Sequence, residues 1–211
     1  MFALVNKSNN SIIKMYNGRQ GVLIGDNQYP KSIFSLWSES ERNAIDIYTV
    51  EMNESKKKDE QWYINTGITY SFDGSKVTGS YGDATAKAHA DTTWTSQDKT
   101  DGLIPNGKDV GDVKVEGLKT VLIRQVKHQA ESELSKTDWY VIRKADTDEA
   151  IPSSIATHRA AVRSKQAAME TSITNASDTP ALETLYTPVN TADEGDPVVM
   201  ERPIGEIPTL D

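Results

Sequence analysis

The hydrophobic pattern of this chain changes its period near the middle, and this change constrains the fold more than any other feature. In the first ninety residues the apolar side chains form short runs bounded by turn residues, which is typical of β-strands. From Gly117 onward they recur at helical spacing. The sequence therefore predicts an α+β protein. We expect an N-terminal antiparallel β-rich module (1–88), a linker or irregular edge (89–116), a small helix-turn-helix hairpin module (117–188) and an acidic extended tail (189–211).

Two pairs of apolar runs in the first module predict β-hairpins. Residues 2–5 and 11–16 flank a polar stretch rich in Asn and Ser, residues that favour turns. Residues 68–72 and 76–81 flank Asp73-Gly74, where glycine can adopt a positive φ without a Cβ clash. Both pairs are expected to form antiparallel strands.

Between the hairpins, Ser38 and Glu41 have the spacing of a capping box, in which each residue caps the backbone of the other. This spacing predicts one short helix over residues 39–44. Ile45, Ile47 and Val50 then indicate a further strand.

The second half contains two strong helical stripes. One helix of about four turns begins after Gly117, and a second begins near Pro152, a residue suited to a first helical turn. Asp178 is expected to cap a short third helix. The acidic residues between the first two helices indicate a polar turn. The apolar positions that define the stripes are Leu118, Val121, Leu122, Val126 and Leu134 in the first helix, and Ile155, Val162, Met169 and Ile173 in the second.

The opposite face of the second helix is expected to be polar. It is assigned the residues Arg159, Arg163, Lys165, Gln166 and Glu170.

The C-terminal segment is acidic and broken by prolines. Residues 190–211 carry one basic and six acidic side chains, so they supply most of the net charge of −8. Four prolines after Tyr186 exclude a helix. We expect an extended strap that gains its order from a neighbouring chain, the alternative being a disordered, solubilising tail. Its candidate partner-binding residues are Val198, Val199, Met200, Ile204, Ile207 and Leu210.

Composition narrows the possible functions. The net charge of −8 argues against a nucleic-acid binder that must neutralise phosphates. Cysteine is absent, so thiolate catalysis, disulfides and Cys-ligated metal sites are excluded. We find no apolar run of transmembrane length and no secretory leader, and we therefore expect a protein without a membrane partner that stays where it is made.

The sequence shows no compact constellation of reactive groups. His89, His128 and His158 lie in different segments without partners at metal-ligand spacing, and the two helical ones are expected to be partly exposed. No phosphate-binding glycine loop and no nucleophile elbow is present. We therefore expect no cofactor, no metal and no enzymatic activity. A hydrolase would require carboxylates that converge from distant positions.

The aromatic residues have two expected roles. Trp37, Trp62 and Tyr63 are interpreted as core or sheet-face residues of the first module. After Asp138, which is interpreted as a cap, Trp139 is expected to pack between the helices while Tyr140 faces a partner.

One segment resembles the tail assembly chaperone family of tailed bacteriophages. The pattern is a helix, a Leu, a Thr-Asp-Trp triplet, a polar turn and a helix with two Arg residues, and it covers roughly residues 117–185. The hairpin at the start of the chain is also similar to the start of such tail proteins. The matching segments are Ser132 to Arg143, Ala150-Ile151-Pro152 and Arg159-Ala160-Ala161-Val162-Arg163.

The resemblance implies a virion tail or tail-fibre protein, or a factor that helps to assemble one. It assigns the motif positions to Asp138, Trp139, Arg159 and Arg163, and we add Tyr140 and Arg143 as candidate partner-binding residues. The chain departs from the family pattern in having His158 where an aromatic usually precedes the first Arg, and an acidic ending in place of a Trp-Pro-rich one.

The modular layout and the prolines of the tail favour a permanent part of the virion. We therefore expect a tail-associated structural protein that links tail, baseplate or fibre proteins, as a homo-oligomer or symmetric ring, and that occupies the host cytoplasm during assembly. The alternatives are a transient assembly chaperone and a glycan-binding module that uses exposed Trp62 and Tyr63.

Overall fold

Residues 1–210 of the chain are described by a computed structural model, and they divide into two units, Met1–Thr85 and a second that begins at Ala86. The α+β class is confirmed, since strands dominate the first unit and helices the second. Asp211, the last residue of the predicted tail, lies outside the described residues.

Strands and two short helices build the first unit. Along the chain they are β1 (Phe2–Asn6), β2 (Ser11–Tyr16), β3 (Val22–Ile24), β4 (Asn27–Tyr29), α1 (Ile33–Leu36), α2 (Glu39–Ala44), β5 (Ile47–Asn53), β6 (Tyr63–Ile64), β7 (Ile68–Phe72) and β8 (Val77–Tyr81), with β9 (Thr85–Ala86) at the boundary.

The central sheet has five strands in the order β2-β1-β5-β8-β7. Both predicted hairpins are confirmed, because β1 pairs with β2 and β7 pairs with β8 in antiparallel fashion. The expectation of a purely antiparallel module is wrong, since β5 and β8 pair in parallel. The long connection from β5 to β8 allows this, whereas a tight turn would impose antiparallel pairing.

Local hydrogen bonds explain the turns and the short helix. In the second hairpin, the Asp73 carboxylate accepts hydrogen bonds from the backbone N–H groups of Lys76 and Ser75 and from the Ser75 hydroxyl, which lower its pKa to about 2. The predicted capping box is present at α2, where the Ser38 hydroxyl accepts from the Glu41 N–H and the Glu41 carboxylate accepts from the Ser38 N–H.

Side chains alternate between the two faces of the sheet, as the period of a strand requires. Ala3 and Val5 join one buried cluster, and Leu4 between them joins another. The end strands β2 and β7 approach each other, so the sheet curves around the first cluster. The predicted core positions Trp62 and Tyr63 are buried, with 3% and 5% of their surface exposed.

The second unit is mainly helical. Its elements are β10 (Thr92–Thr93), α3 (Ser96–Thr100), β11 (Val113–Val115), α4 (Leu118–Ser135), α5 (Asp138–Thr147), α6 (Ser153–Asn175), α7 (Thr179–Tyr186), β12 (Val189–Asn190) and β13 (Met200–Glu201).

Helices α4 and α6 pack against each other and form the core of this unit. Of the stripe residues, Leu122 and Val126 of α4 and the four members on α6 are buried, whereas Leu118, also buried, begins α4 directly after Gly117. The 18 residues of α4 make five turns where about four were expected. The predicted cap of the third helix is confirmed, because the Asp178 carboxylate accepts a hydrogen bond from the Ala181 N–H.

Residues 89–116 contain regular elements where an irregular linker was expected. A second capping box, between Thr95 and Asp98, begins α3. The Asp98 carboxylate also pairs with Lys114 at 2.6 Å, and these hydrogen bonds lower its pKa to about 2, the Lys114 ammonium contributing most. Short polar segments of this kind lack the periodicity from which helices are predicted.

The polar turn predicted between the two main helices is a ten-residue helix, α5, and this expectation was wrong. The helix ends at Asp148, whose φ of 59° places it in the left-handed region. Since the second unit has α5 and α7 in addition to α4 and α6, it is more than the predicted helical hairpin.

The expectation that the terminal segment takes its order from a neighbouring chain is wrong for residues 202–210, which we call the strap. Within this chain, the Ile204 N–H donates to the Leu185 carbonyl at 3.0 Å, and the Leu210 N–H donates to Glu133 Oε1 at 2.8 Å. Ile204 is buried. The apolar strap residue has a hydrophobic surface of its own subunit within reach, and burying it there stabilises the fold.

Among the described residues, no helix combines the length and the apolar character that a membrane span needs.

Candidate functional site

The sequence motif around Thr137-Asp138-Trp139 lies where α4, α5 and α6 meet. Arg159 of α6 is the centre of this joint. Its Nη1 donates to the Leu134 carbonyl at 2.6 Å and to the Thr137 hydroxyl at 2.7 Å, and its Nη2 pairs with Asp138 at 2.9 Å. The Thr137 hydroxyl donates in turn to the Leu134 carbonyl. We call this group of four residues the joint.

The joint satisfies polar groups that helix termini leave without partners. The last carbonyls of a helix have no intrahelical donor, and Leu134 is in the last turn of α4. Thr137 is 1% exposed and Arg159 is 7% exposed, so both must find hydrogen bonds inside the protein. The Arg159 guanidinium therefore fixes the end of α4 and the start of α5.

The assignment of Arg159 to the polar face of its helix was wrong. Arg159 follows Ile155 by four residues and precedes Val162 by three, so it lies on the buried stripe. A charged residue at such a position is buried only when it is paired, and the partners come from α4 and α5. Arg163, one turn further along α6, is exposed and lines an open groove with Leu134.

A second polar cluster adjoins the joint at Glu133, which is 5% exposed. Its carboxylate accepts hydrogen bonds from Lys136 on α4 and from the Leu210 N–H of the strap, and it lies 3.2 Å from His158 Nε2. These contacts lower the pKa of Glu133, with the Lys136 hydrogen bond as the largest cause. His158 was expected to be a partly exposed residue without a partner, whereas its side chain is 9% exposed and faces Glu133.

Helix α5 presents an aromatic and aliphatic surface to solvent. Trp139 is 51% exposed and Ile142, one turn further, is 68% exposed. The Arg143 guanidinium lies over the Trp139 ring at 4.5 Å from its centroid, and the Trp139 and Tyr140 rings are 4.3 Å apart. We call Trp139, Tyr140, Ile142 and Arg143 the α5 patch.

The predicted roles of the two aromatics are reversed. Trp139 was expected between the helices, and it is the more exposed of the pair, whereas Tyr140 is half-buried. Asp138 is the first residue of α5 and not its cap, and its carboxylate is used by Arg159. Because α5 was interpreted as a turn, the sequence could not indicate which side chain would face outward.

Arg143 is held in place on both sides. Its Nη1 pairs with Glu149 at 3.1 Å, and its guanidinium also lies 5.3 Å from the centroid of the Tyr140 ring. A planar guanidinium between two rings and a carboxylate has little freedom to move, so the α5 patch is largely preorganised.

The terminal candidate residues divide into two groups. Val198, Val199 and Met200 are 70%, 46% and 57% exposed, next to the short β12–β13 hairpin. The strap residue Ile204 is buried, Ile207 is half-buried and Leu210 is 38% exposed. The structure therefore does not bring the six residues together in one surface.

A cavity of about 420 Å³ lies between α4 and the strap. Its lining includes Gln129 and Glu133 of α4, Met169 of α6, and Arg202 and Glu206 of the strap. Since the Glu133 carboxylate is already used by Lys136 and the strap, the acidic group in this cavity has a structural role. Within residues 1–210, no group of three or more His, Asp or Glu side chains is arranged to hold a metal ion.

Sequence reasoning missed Glu133, Thr137 and Ile142. For Thr137 a signal existed, since a Thr-Asp pair between two helical stripes is typical of a helix boundary. Glu133 carried no such signal, because its partners are 25 residues away at His158 and 77 residues away at Leu210.

Comparison of this chain with family models, curated proteins and solved structures found no match.

Proposed function

We propose that this chain is a protein-binding component of a bacteriophage tail and that the α5 patch is the surface through which it contacts another tail protein. The tail assignment rests on the resemblance of residues 117–185 to the tail assembly chaperone family. The observation that carries the contact surface is the exposure of Trp139 and Ile142 on a helix whose start is fixed by buried Arg159.

The chemistry of the α5 patch supports protein binding. Trp, Tyr and Arg are the residues most enriched among those that dominate the binding energy of interfaces. A half-exposed Trp stacked with Arg143 loses little conformational entropy when it is covered, because it is already ordered. None of the residues of α5 is buried within its own unit, so the helix has a free surface to offer.

Photo-cross-linking in infected cells tests this function. A photoreactive amino acid placed at Ile142 should yield a conjugate with a phage tail protein, identified by mass spectrometry. The matched control carries the same group at Leu36, an equally apolar and exposed residue of the first unit. Conjugates with host proteins only, or identical conjugates from both positions, would contradict the proposal.

A transient assembly chaperone is the second candidate, and one observation favours it over a permanent virion part. The strap was the main reason to expect a permanent part, since such parts gain from burying extended segments against neighbours. The strap instead lies on its own helices. Mass spectrometry of purified particles separates the two candidates, because a chaperone is absent from mature virions.

Glycan binding loses the residues on which it depended. Trp62 and Tyr63 were its candidate stacking platforms, and the structure buries both of them. We therefore do not propose a glycan-binding function.

A further inference from the structure

The strap is a nine-residue segment that is held at few points. Ile204 is its only buried residue, and the backbone N–H groups of Ile204 and Leu210 donate its two hydrogen bonds to the helices. Pro203 and Pro208 limit the conformations of the segment and prevent it from forming a helix. The strap therefore lies on the helical unit in the manner of a bound extended peptide.

The surface beneath the strap is a built groove. Leu185 of α7 offers a main-chain carbonyl at one end, and Glu133 of α4 offers a buried carboxylate at the other. Val126 and Met169, both buried, line the groove between these two acceptors. Two acceptors for N–H groups at the ends of an apolar groove are what an extended peptide needs, because its backbone donors are otherwise without partners.

The strap does not fill this groove. The cavity of about 420 Å³ that remains beside it is lined by Gln125, Gln129 and Ser132 on the α4 side and by Arg202 and Glu206 on the strap side. An intramolecular segment selected only to complete the core would be expected to close such a space, since protein interiors are densely packed. The groove is wide enough for a peptide that makes more contacts than the strap does.

The connection to the strap also allows it to leave. Residues 191–199 are almost entirely exposed and include Asp193, Glu194, Gly195 and Asp196. The two hydrogen bonds of the strap lie at its ends, so releasing it exposes one buried side chain and two acceptors. Segments with few buried contacts open at much lower free energy than the core of a protein does.

From these observations we infer that the groove between α4, α6 and α7 is a docking site for an extended peptide of a partner protein, with the strap as its intramolecular occupant. The partner peptide carries an Ile-Gly pair: Ile fills the position of Ile204, and Gly takes the left-handed conformation of Gly205, whose φ is +72°. This inference concerns a surface other than the α5 patch and does not depend on the tail function.

Binding of the strap peptide to a strap-released full-length chain tests the inference. The variant Ile204→Asp places a charge at the buried position and should release the strap. A fluorescent peptide of residues 202–210 should then bind saturably, as measured by anisotropy. The matched control is Val198→Asp, which adds the same charge at an exposed position of the same tail and should leave the strap docked.

Two further measurements make the result specific. The wild-type chain should bind the peptide at least about tenfold more weakly than Ile204→Asp, because the tethered strap competes at a high effective concentration. A peptide with Gly205→Ala should bind about tenfold more weakly than the parent, because alanine is strained at a positive φ. Equal binding to both chains, or by both peptides, would overturn the inference.

Native-state hydrogen exchange keeps the test decisive if Ile204→Asp fails to fold. In the wild-type chain, the amides of Ile204 and Leu210 should exchange far faster than those of buried Val162 and Ile173 in α6. Equal exchange rates would show that the strap opens only on global unfolding and would overturn the inference. A wild-type dimer that the free peptide dissociates would assign the groove to a second copy of the chain and would overturn it as well.

Discussion

The joint and the α5 patch begin within two residues of each other, and they have opposite relations to solvent. Thr137 is 1% exposed and is enclosed by Arg159, whereas Trp139 is 51% exposed and stacks only with residues of its own helix. A single sequence motif thus contains both a buried support and an exposed surface.

The difference shows how such a motif can be read. Buried polar groups need their hydrogen bonds, so the identities of Thr137 and Arg159 are explained by folding. An exposed Trp has no such explanation, because covering it would lower the free energy of the chain. Function should therefore depend on the exposed half of the motif and stability on the buried half.

The largest effect is expected for Arg159→Met. This change leaves the Thr137 hydroxyl and the Leu134 carbonyl without their charged donor, at a cost of about 3 kcal/mol in the free energy of unfolding. Denaturation followed by far-UV circular dichroism measures it. Arg163→Met is the matched control on the exposed side of the same helix, and it should change stability by less than about 0.5 kcal/mol. Equal effects would show that the joint has no special role.

Thr137→Val should have the next largest effect. The side chain keeps its shape but loses the hydroxyl that links Arg159 to Leu134, which should destabilise the chain by about 1.5 kcal/mol. Thr147→Val is the control, since the Thr147 hydroxyl donates to the Arg143 carbonyl at an exposed position. The same denaturation experiment compares them, and a neutral Thr137→Val variant would break the comparison.

The contribution of Glu133 should depend on pH. Because the folded state lowers the pKa of Glu133, the stabilisation is present above its ordinary value of 4.5 and is lost as the pH falls through the lowered value. The stability difference between the wild type and Glu133→Gln should therefore shrink in acid, as measured by denaturation at several pH values. Glu131→Gln, at an exposed position of α4, should show no such pH dependence. A difference that grows in acid would contradict the assignment.

The smallest effect on stability is expected for Trp139→Ala. The side chain is half-exposed and loses mainly its stacking with Arg143, worth about 0.5–1 kcal/mol. Thermal denaturation measures this loss, and the same variant should abolish the tail-protein conjugate formed from position 142. A large loss of stability with normal cross-linking would reverse the roles of the joint and the α5 patch.

Local sequence patterns were sufficient for the elements that are stabilised by near neighbours. The capping boxes and turns need only residues two to four positions apart, as at Ser38–Glu41 and Asp73–Lys76. The stripe of α6 could be predicted because burial repeats along a helix. The α5 helix could not, since it has no buried stripe and its short apolar run resembles that of a turn or strand.

By itself, the sequence determined the α+β class, the two main hairpins, the helices α4, α6 and α7, and the motif that contains Asp138 and Arg159. Only the tertiary structure decided that Arg159 is buried, that Trp139 faces outward and that the strap lies on its own helices. The physical reason is distance along the chain. The Arg159–Thr137 contact spans 22 residues and the Leu210–Glu133 contact spans 77, and no local periodicity encodes which distant groups will meet when water is excluded.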